Sequence, residues 1–293
     1  MTAMGLTAWR WRAARLCTYF WRFKTQPFGR WLATGISSPF VMERPFHGLE
    51  IAVDVSRTDT HRLLYLEGER FVAESKLLAH LLSPGMRVVD VGANIGYYAL
   101  ILSAEVGASG QVTCLEPDPD NRLELERNVS INQLKNVTVL PIAAGSEDTE
   151  LSLCRGINAT VVDEGGDIPI VVKRLDSLDL GRVDFIKIDV EGYECAVLEG
   201  AVEVIDRDRP AMFIEVHPDF VPSRDKLQWI LDFLRSRYTR ITAHREGHPP
   251  SAIGKAMRRY AGRHAVESGD AEAWVSAGIS ASSAPPFWLI AER

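Results

Sequence analysis

The stretch VVDVGANIGYY, residues 88–98, decides the fold. The run Arg87–Val91 is β-rich, a helical pattern starts at Ile95, and Gly92 and Gly96 sit in the turn between them. A strand, a glycine-bearing turn and a helix make one unit of a doubly wound α/β sheet, whose ligands bind beyond the carboxyl ends of the strands. Both glycines let the backbone turn sharply and approach a ligand with no β-carbon in the way.

Outward from this unit the chain alternates. Strand patterns at 111–115, 137–142, 185–190 and 211–216 are interleaved with helical patterns at 119–132 and 194–206. A helix at 226–237 and two strand candidates, 239–244 and 287–291, complete the series. Such alternation predicts a mostly parallel sheet covered on both faces. Leu151–Leu153 and Ile170–Val172 suggest a hairpin inserted after the third strand. Phe71–Leu82 has helical spacing and is stopped by Ser83-Pro84-Gly85. Residues 46–70 read as a hairpin region, with strand patterns at Leu49–Val55 and Arg62–Leu66. The segment His248–Pro286 is polar, with a helix expected around 252–264. The expected organisation is therefore an N-terminal segment, 1–45, and one domain, 46–293, with its cofactor-binding core at 71–216.

Asp90 separates the classes of ligand. A dinucleotide pyrophosphate favours a GxGxxG turn with no carboxylate pointing in. A carboxylate suits a ligand that carries an ammonium group, such as the methionine part of S-adenosylmethionine. Glu116 follows the next strand, where an acidic residue can accept both hydroxyls of a ribose. The other role open to Glu116 is to meet the dipole of the following helix.

Bulk properties narrow the field further. The chain has 293 residues, 46% hydrophobic and 25% charged, ordinary for a globular protein. A net charge of −6 argues against a general nucleic-acid binder. The cysteines, Cys17, Cys114, Cys154 and Cys195, form no CxxC pair or zinc-ligand cluster, which fits a reducing compartment. No apolar run reaches membrane-spanning length and no clean signal peptide opens the chain, so a cytoplasmic location is expected.

Several separated blocks resemble the FkbM-type methyltransferase family. They are Glu74-Ser75 with Leu81-Leu82-Ser83-Pro84-Gly85 and VVDVGANIGYYAL, then Leu115-Glu116-Pro117, then Lys173-Arg174-Leu175-Asp176-Ser177-Leu178. The most specific is Phe185–Glu194 (FIKIDVEGYE), continuing to Val197-Leu198-Glu199-Gly200-Ala201. The resemblance spans about 63–215. It implies a class I methyltransferase fold, a Rossmann-like sheet of seven strands whose last strand runs antiparallel. It also implies S-adenosylmethionine as cofactor and a hydroxyl acceptor on a sugar, glycolipid or secondary metabolite. Carried onto this sequence, Glu74, Asp90, Gly92, Asn94, Gly96 and Glu116 would bind the cofactor. Ala143 and Ala144 would sit near its adenine, and Asp189 would face its methionine moiety or the acceptor. No Asn-Pro-Pro-aromatic tetrad of nucleic-acid methyltransferases follows the fourth strand.

A methyl transfer to oxygen needs an aligned acceptor and a base. The strand-end candidates are Asp189, Glu191, Glu215 and His217, with His217 favoured by the ordinary range of imidazole. Asp189, Glu215 and His217 could instead hold a divalent metal, but no dedicated ligand spacing is present and no metal is expected. Lys187 lies on the same side of its strand as Asp189, and Glu191 could pair with it. Two alternatives from other classes stay open: an NAD-dependent oxidoreductase on a related sheet, and an idle scaffold that kept the fold.

The N-terminal segment is separate in character. Trp9, Ala13, Leu16, Phe20 and Phe23 recur at helical spacing among Arg10, Arg12, Arg15, Arg22 and Lys24, and no acidic residue precedes Glu43. This pattern fits a helix packed on the domain or on a partner subunit. The other reading is a helix resting through residues 9–31 on an anionic membrane surface.

Overall fold

The computed structural model describes residues 3–20, 30–34, 36, 39–68, 72–154, 160–162, 165–220, 224–246, 266–280 and 286–293. The helix expected around 252–264 and the segment 21–29 lie outside the described residues.

Five parallel strands form the centre of the main sheet: β3 (Arg87–Val91), β4 (Gln111–Leu115), β5 (Val137–Leu140), β10 (Phe185–Ile188) and β11 (Ala211–Val216). The last strand, β14 (Phe287–Glu292), lies antiparallel between β11 and β12 (Arg240–Glu246). The order β12-β14-β11-β10-β3-β4-β5 is the expected seven-stranded Rossmann-like arrangement, extended at one edge by β13 (Val266–Gly269). From β3 the chain runs outward through β4 and β5, then returns to β10 and runs the other way. The order therefore reverses between β3 and β10, where a doubly wound sheet opens a crevice.

Side chains alternate across the sheet as the pleat requires. Val88, Phe185, Phe213 and Trp288 pack on one face with Leu100 of helix α4 (Tyr97–Val106). Val89, Ile186, Ile214 and Leu289 pack on the other. The inserted segment forms its own sheet, order β6-β9-β7-β8, from β6 (Ala143–Ala144), β7 (Thr149–Cys154), β8 (Thr160–Val162) and β9 (Ile168–Lys173).

The N-terminal region departs from expectation in three places. The hairpin begins earlier than 46: β1 (Val41–Phe46) pairs antiparallel with β2 (Leu49–Asp54). Arg62–Leu66, read as a strand, belongs to helix α2 (Asp59–Glu67). Thr58 caps that helix, its side chain accepting the His61 N–H, and this cap outweighs the short apolar run. Helix α1 (Ala3–Phe20) packs on α2 through Trp11 and Ala14, while Trp9 is 60% exposed. The face chosen by the spacing of Trp9 and Ala13 is therefore not the one that meets the core.

The free edge of β2 is covered by side chains of α5 (Pro119–Ile131) and of Asn132 just after it. Glu124 accepts the Asp54 N–H, Asn128 accepts that of Ala52 and Asn132 accepts that of Glu50. Asn128 and Asn132 donate back to the Ala52 and Glu50 carbonyls. Four residues of helix rise about 6 Å, and two residues of strand rise about 6.6 Å, so polar groups at every fourth helical position meet every second strand residue. This match explains the polarity of α5 and anchors the hairpin beside the crevice.

Candidate active site

The turn after β3 is built from left-handed backbone at Gly92, Asn94 and Gly96, with φ of 79°, 50° and 90°. A Cβ at Gly92 would collide with the Asp189 carbonyl oxygen, and one at Gly96 would stand 2.7 Å from a Leu125 methyl. Asn94 tolerates its conformation because its side chain accepts the Ile95 N–H at 2.8 Å. The Asn94 N–H donates to Glu116 Oε2 at 2.7 Å, and the Asp118 N–H to Oε1 at 2.9 Å. Each Glu116 oxygen retains acceptor capacity after these bonds. Burial pushes the Glu116 carboxyl up to about 7, against the pull of its N–H donors.

A cavity of about 380 Å³ lies beside this turn. Its wall includes Gly92, Asn94, Glu116, Ala143, Ala144 and Asp189. Leu153 and Val161 of the inserted sheet and Tyr193 add apolar surface. Arg57, Thr58 and His61 approach from the hairpin side. Glu124 pairs with Arg57 and lies 3.3 Å from His61 Nε2, and the Thr58 hydroxyl meets His61 Nδ1 at 2.6 Å. Burial opposes the Glu124 charge, but His61, Arg57 and the Asp54 N–H outweigh it and hold the carboxyl down at about 2.

Asp90, Gly96, Glu74, Glu215 and His217 lie outside that wall. Asp90 stands opposite Lys187 in the β3–β10 register, and both are fully buried. Lys187 Nζ lies 3.3 Å from Asp90 Oδ1, 3.6 Å from Asp189 Oδ2 and 4.6 Å from the Tyr98 ring centre. Burial alone would discharge Lys187, but Asp90, Asp189 and Glu215 hold its ammonium protonated. The ammonium that Asp90 meets is thus the protein's own. Glu74, at the start of α3 (Val72–Leu81), is buried, and its charge acts with those of Glu215 and Asp189 on the Tyr98 hydroxyl, which burial already pushes up.

Extending the β10–β11 register by one residue sets Asp189 opposite Glu215. His217, two residues further on, closes the group. Its Nε2 is 3.4 Å from Glu215 Oε1 and 3.8 Å from Asp189 Oδ1, and its Nδ1 is 3.5 Å from Glu191 Oε2. Glu191 therefore faces His217 rather than Lys187. Burial would lower the imidazole, but Glu215, Glu191 and Asp189 raise it to about 9. These carboxylates favour the protonated ring at neutral pH, so His217 would act as a base only after giving up that proton.

The structure thus joins the two groups through Asp189 and Glu191, both of which border the cavity and face His217. Sequence reading missed Arg57, Thr58, His61, Leu153, Val161 and Tyr98. The first three arrive from a region read as strands, and the next two from an insertion with no motif. Tyr98 lay within the quoted stretch, where its position directly after the glycine turn was the available signal.

The chain was also compared with known proteins. The methyltransferase FkbM domain model matches residues 90–241. "Methyltransferase 1" of Beauveria bassiana is 26% identical over 143 residues, covering 39% of this chain and 57% of that protein. A methyltransferase FkbM structure from Methylobacillus flagellatus aligns at 21% identity and a TM-score of 0.41, covering 73% of this chain and 54% of that one. TYW2 of M. jannaschii, solved in complex with AdoMet, aligns at 14% identity and a TM-score of 0.46, covering 87% and 85%. The chain thus spans little more than half the length of the first two proteins. The fold assignment rests on the strand order.

Proposed function

The chain belongs to the FkbM methyltransferase family, and on that premise we propose that it transfers a methyl group from S-adenosylmethionine to a hydroxyl oxygen of a sugar, glycolipid or secondary metabolite. The observation that carries this reading is the contiguity of cavity and cluster at the sheet's switch point, with Asp189 shared between them. When bound, S-adenosylmethionine supplies an activated sulfonium methyl group.

The residues present fit that cofactor. Glu116 offers two buried oxygens with acceptor capacity to a ribose diol. Gly92 lets the turn close against the Asp189 carbonyl, where a Cβ would collide, and Ala143 and Ala144 leave a small apolar surface for adenine. Asp189 stands where the methionine end meets the acceptor. Asp90 and Glu74 act from beneath: Asp90 fixes Lys187, and Lys187 orients Asp189. Catalysis in this arrangement is mainly alignment of the acceptor oxygen. The proton-accepting group is a carboxylate of the cluster, since His217 is already protonated. An NAD-dependent oxidoreductase is disfavoured by the family match and by a turn that presents no GxGxxG.

Incubation with methyl-labelled S-adenosylmethionine and a panel of hydroxyl and amine acceptors tests the proposal. Label recovered as a methyl ether is the expected product. Label found only on nitrogen would overturn the oxygen assignment.

Exposed tryptophans in the N-terminal segment support a peripheral location. Trp9 and Trp31 are 60% and 58% exposed, and the Arg10 guanidinium lies 5.0 Å from the Trp31 ring centre. Among the described residues no helix is long and apolar enough to cross a membrane, so this contact would be interfacial. Sedimentation with anionic liposomes should be reduced by Trp9→Ala plus Trp31→Ala; equal sedimentation would end the idea.

A further inference from the structure

We propose that Asp189, Glu215 and His217 form a divalent-cation site that holds the acceptor, a deepening that rests on the methyltransferase reading above. One ligand atom from each residue lies within 4.8 Å of the others. The donors come from the ends of two adjacent parallel strands, so their spacing is fixed by the sheet rather than by a flexible loop.

The distances favour a shared cation over hydrogen bonds. A charge-assisted N–H···O contact settles near 2.7–2.9 Å, whereas His217 Nε2 stands 3.4 and 3.8 Å from its two carboxylate oxygens. That nitrogen is buried and makes no hydrogen bond. Ligands about 2.1 Å from one octahedral metal lie roughly 3 Å apart when adjacent and roughly 4.2 Å when opposite, and the two gaps from His217 fall between these values.

The surroundings of each ligand point the same way. A metal-bound imidazole usually directs its second ring nitrogen at a carboxylate, which fixes the tautomer. His217 Nδ1 faces Glu191 Oε2 at 3.5 Å, leaving Nε2 for the cation. Asp189 turns Oδ2 to Lys187 and Oδ1 to the cluster. Asp90, Asp189, Glu191 and Glu215 stand around one ammonium, that of Lys187, and an imidazole that binds a cation in its neutral form, so carboxylates outnumber the fixed positive charge. Two carboxylates with one imidazole suit manganese(II), since carboxylates favour Mg and Mn while imidazole favours later first-row metals.

Three protein ligands leave half of an octahedron open. Those positions take an acceptor that presents two neighbouring oxygens. The cation acidifies the bound hydroxyl, whose proton passes to Glu191. The alkoxide lone pair forms the O–CH₃ bond, the S–CH₃ bond breaks, and its electron pair returns to sulfur.

The test uses full-length protein, stripped with chelator and dialysed, then titrated with manganese(II) and followed by electron paramagnetic resonance and calorimetry. One ion should bind per chain, with hyperfine coupling to an imidazole nitrogen. Glu215→Gln should weaken binding at least ~10-fold, and His217→Gln should also abolish the nitrogen coupling. Catechol, a minimal chelating diol, should perturb the bound-ion spectrum while phenol does not. S-adenosylhomocysteine binding, measured on every variant without manganese, shows whether each is folded and tests the methyltransferase reading separately. Absence of stoichiometric binding to wild-type protein, or equal binding by both variants, would overturn the cation site. Equal perturbation by phenol would overturn the chelated acceptor.

Discussion

The cofactor cavity and the carboxylate–imidazole cluster share Asp189 but are finished to different degrees. Around the cavity, carboxylates meet donors at hydrogen-bond length: Glu116 accepts two backbone N–H groups, and Glu124 binds Arg57 and the Asp54 N–H. In the cluster the separations are 3.4–3.8 Å and carboxylates outnumber cations. Buried charge is tolerated only when it is paired and hydrogen-bonded. The carboxylates of the first region are satisfied within the protein. The second keeps carboxylates in excess, and the proposed cation would complete it, with donor and acceptor in separate halves of one crevice.

The largest effect should come from collapsing the boundary between the halves. Gly92→Ala forces a Cβ onto the Asp189 carbonyl at a left-handed position, costing roughly 3–5 kcal/mol of stability and the cofactor site with it. Calorimetric unfolding checks this, and a normal melting temperature would show that the turn is not rigid.

Glu124→Gln should come next, on the order of 3 kcal/mol, because it strips the charge from a buried group that serves Arg57, His61 and β2 together. In the wild type this carboxyl sits near 2, below its ordinary range. Its contribution is fully present above about pH 4.5 and is lost as pH falls towards 2. Glu124→Gln should flatten that acid limb in denaturant titrations, while manganese binding stays unchanged.

Glu116→Gln tests the cavity without disturbing the cluster, and should weaken S-adenosylhomocysteine about 30-fold, the loss of a charge-assisted bidentate acceptor. The smallest effect is that of pH on the same contact. Because burial holds Glu116 at about 7, affinity should fall by up to ~tenfold per unit as pH drops below that value. The Gln variant should show no such slope. The stability sign is opposite, since the folded state keeps this proton more tightly, so the group's contribution declines as pH rises from about 4.5 to about 7.

The sheet was legible because its central strands are continuous apolar runs punctuated by glycine turns. Glu116 and the alanine pair were legible for the same reason: they follow strands directly. Glu215 and His217 could be named, but not their convergence with Asp189, which depends on the register of β11 against β10. Asp90 shows the same limit. Its carboxylate was visible in sequence, yet its partner across the register, Lys187, changed it from a ligand-facing group to a buried support. Helix α2 was hidden because its cap, Thr58, precedes a run short and apolar enough to pass for a strand.

The most direct measurement is calorimetric titration of the full-length chain with S-adenosylhomocysteine and, separately, with NAD. One S-adenosylhomocysteine per chain, weakened by Glu116→Gln, and no heat with NAD is the predicted result. Binding of NAD without S-adenosylhomocysteine, or of neither, would contradict the assignment of the crevice.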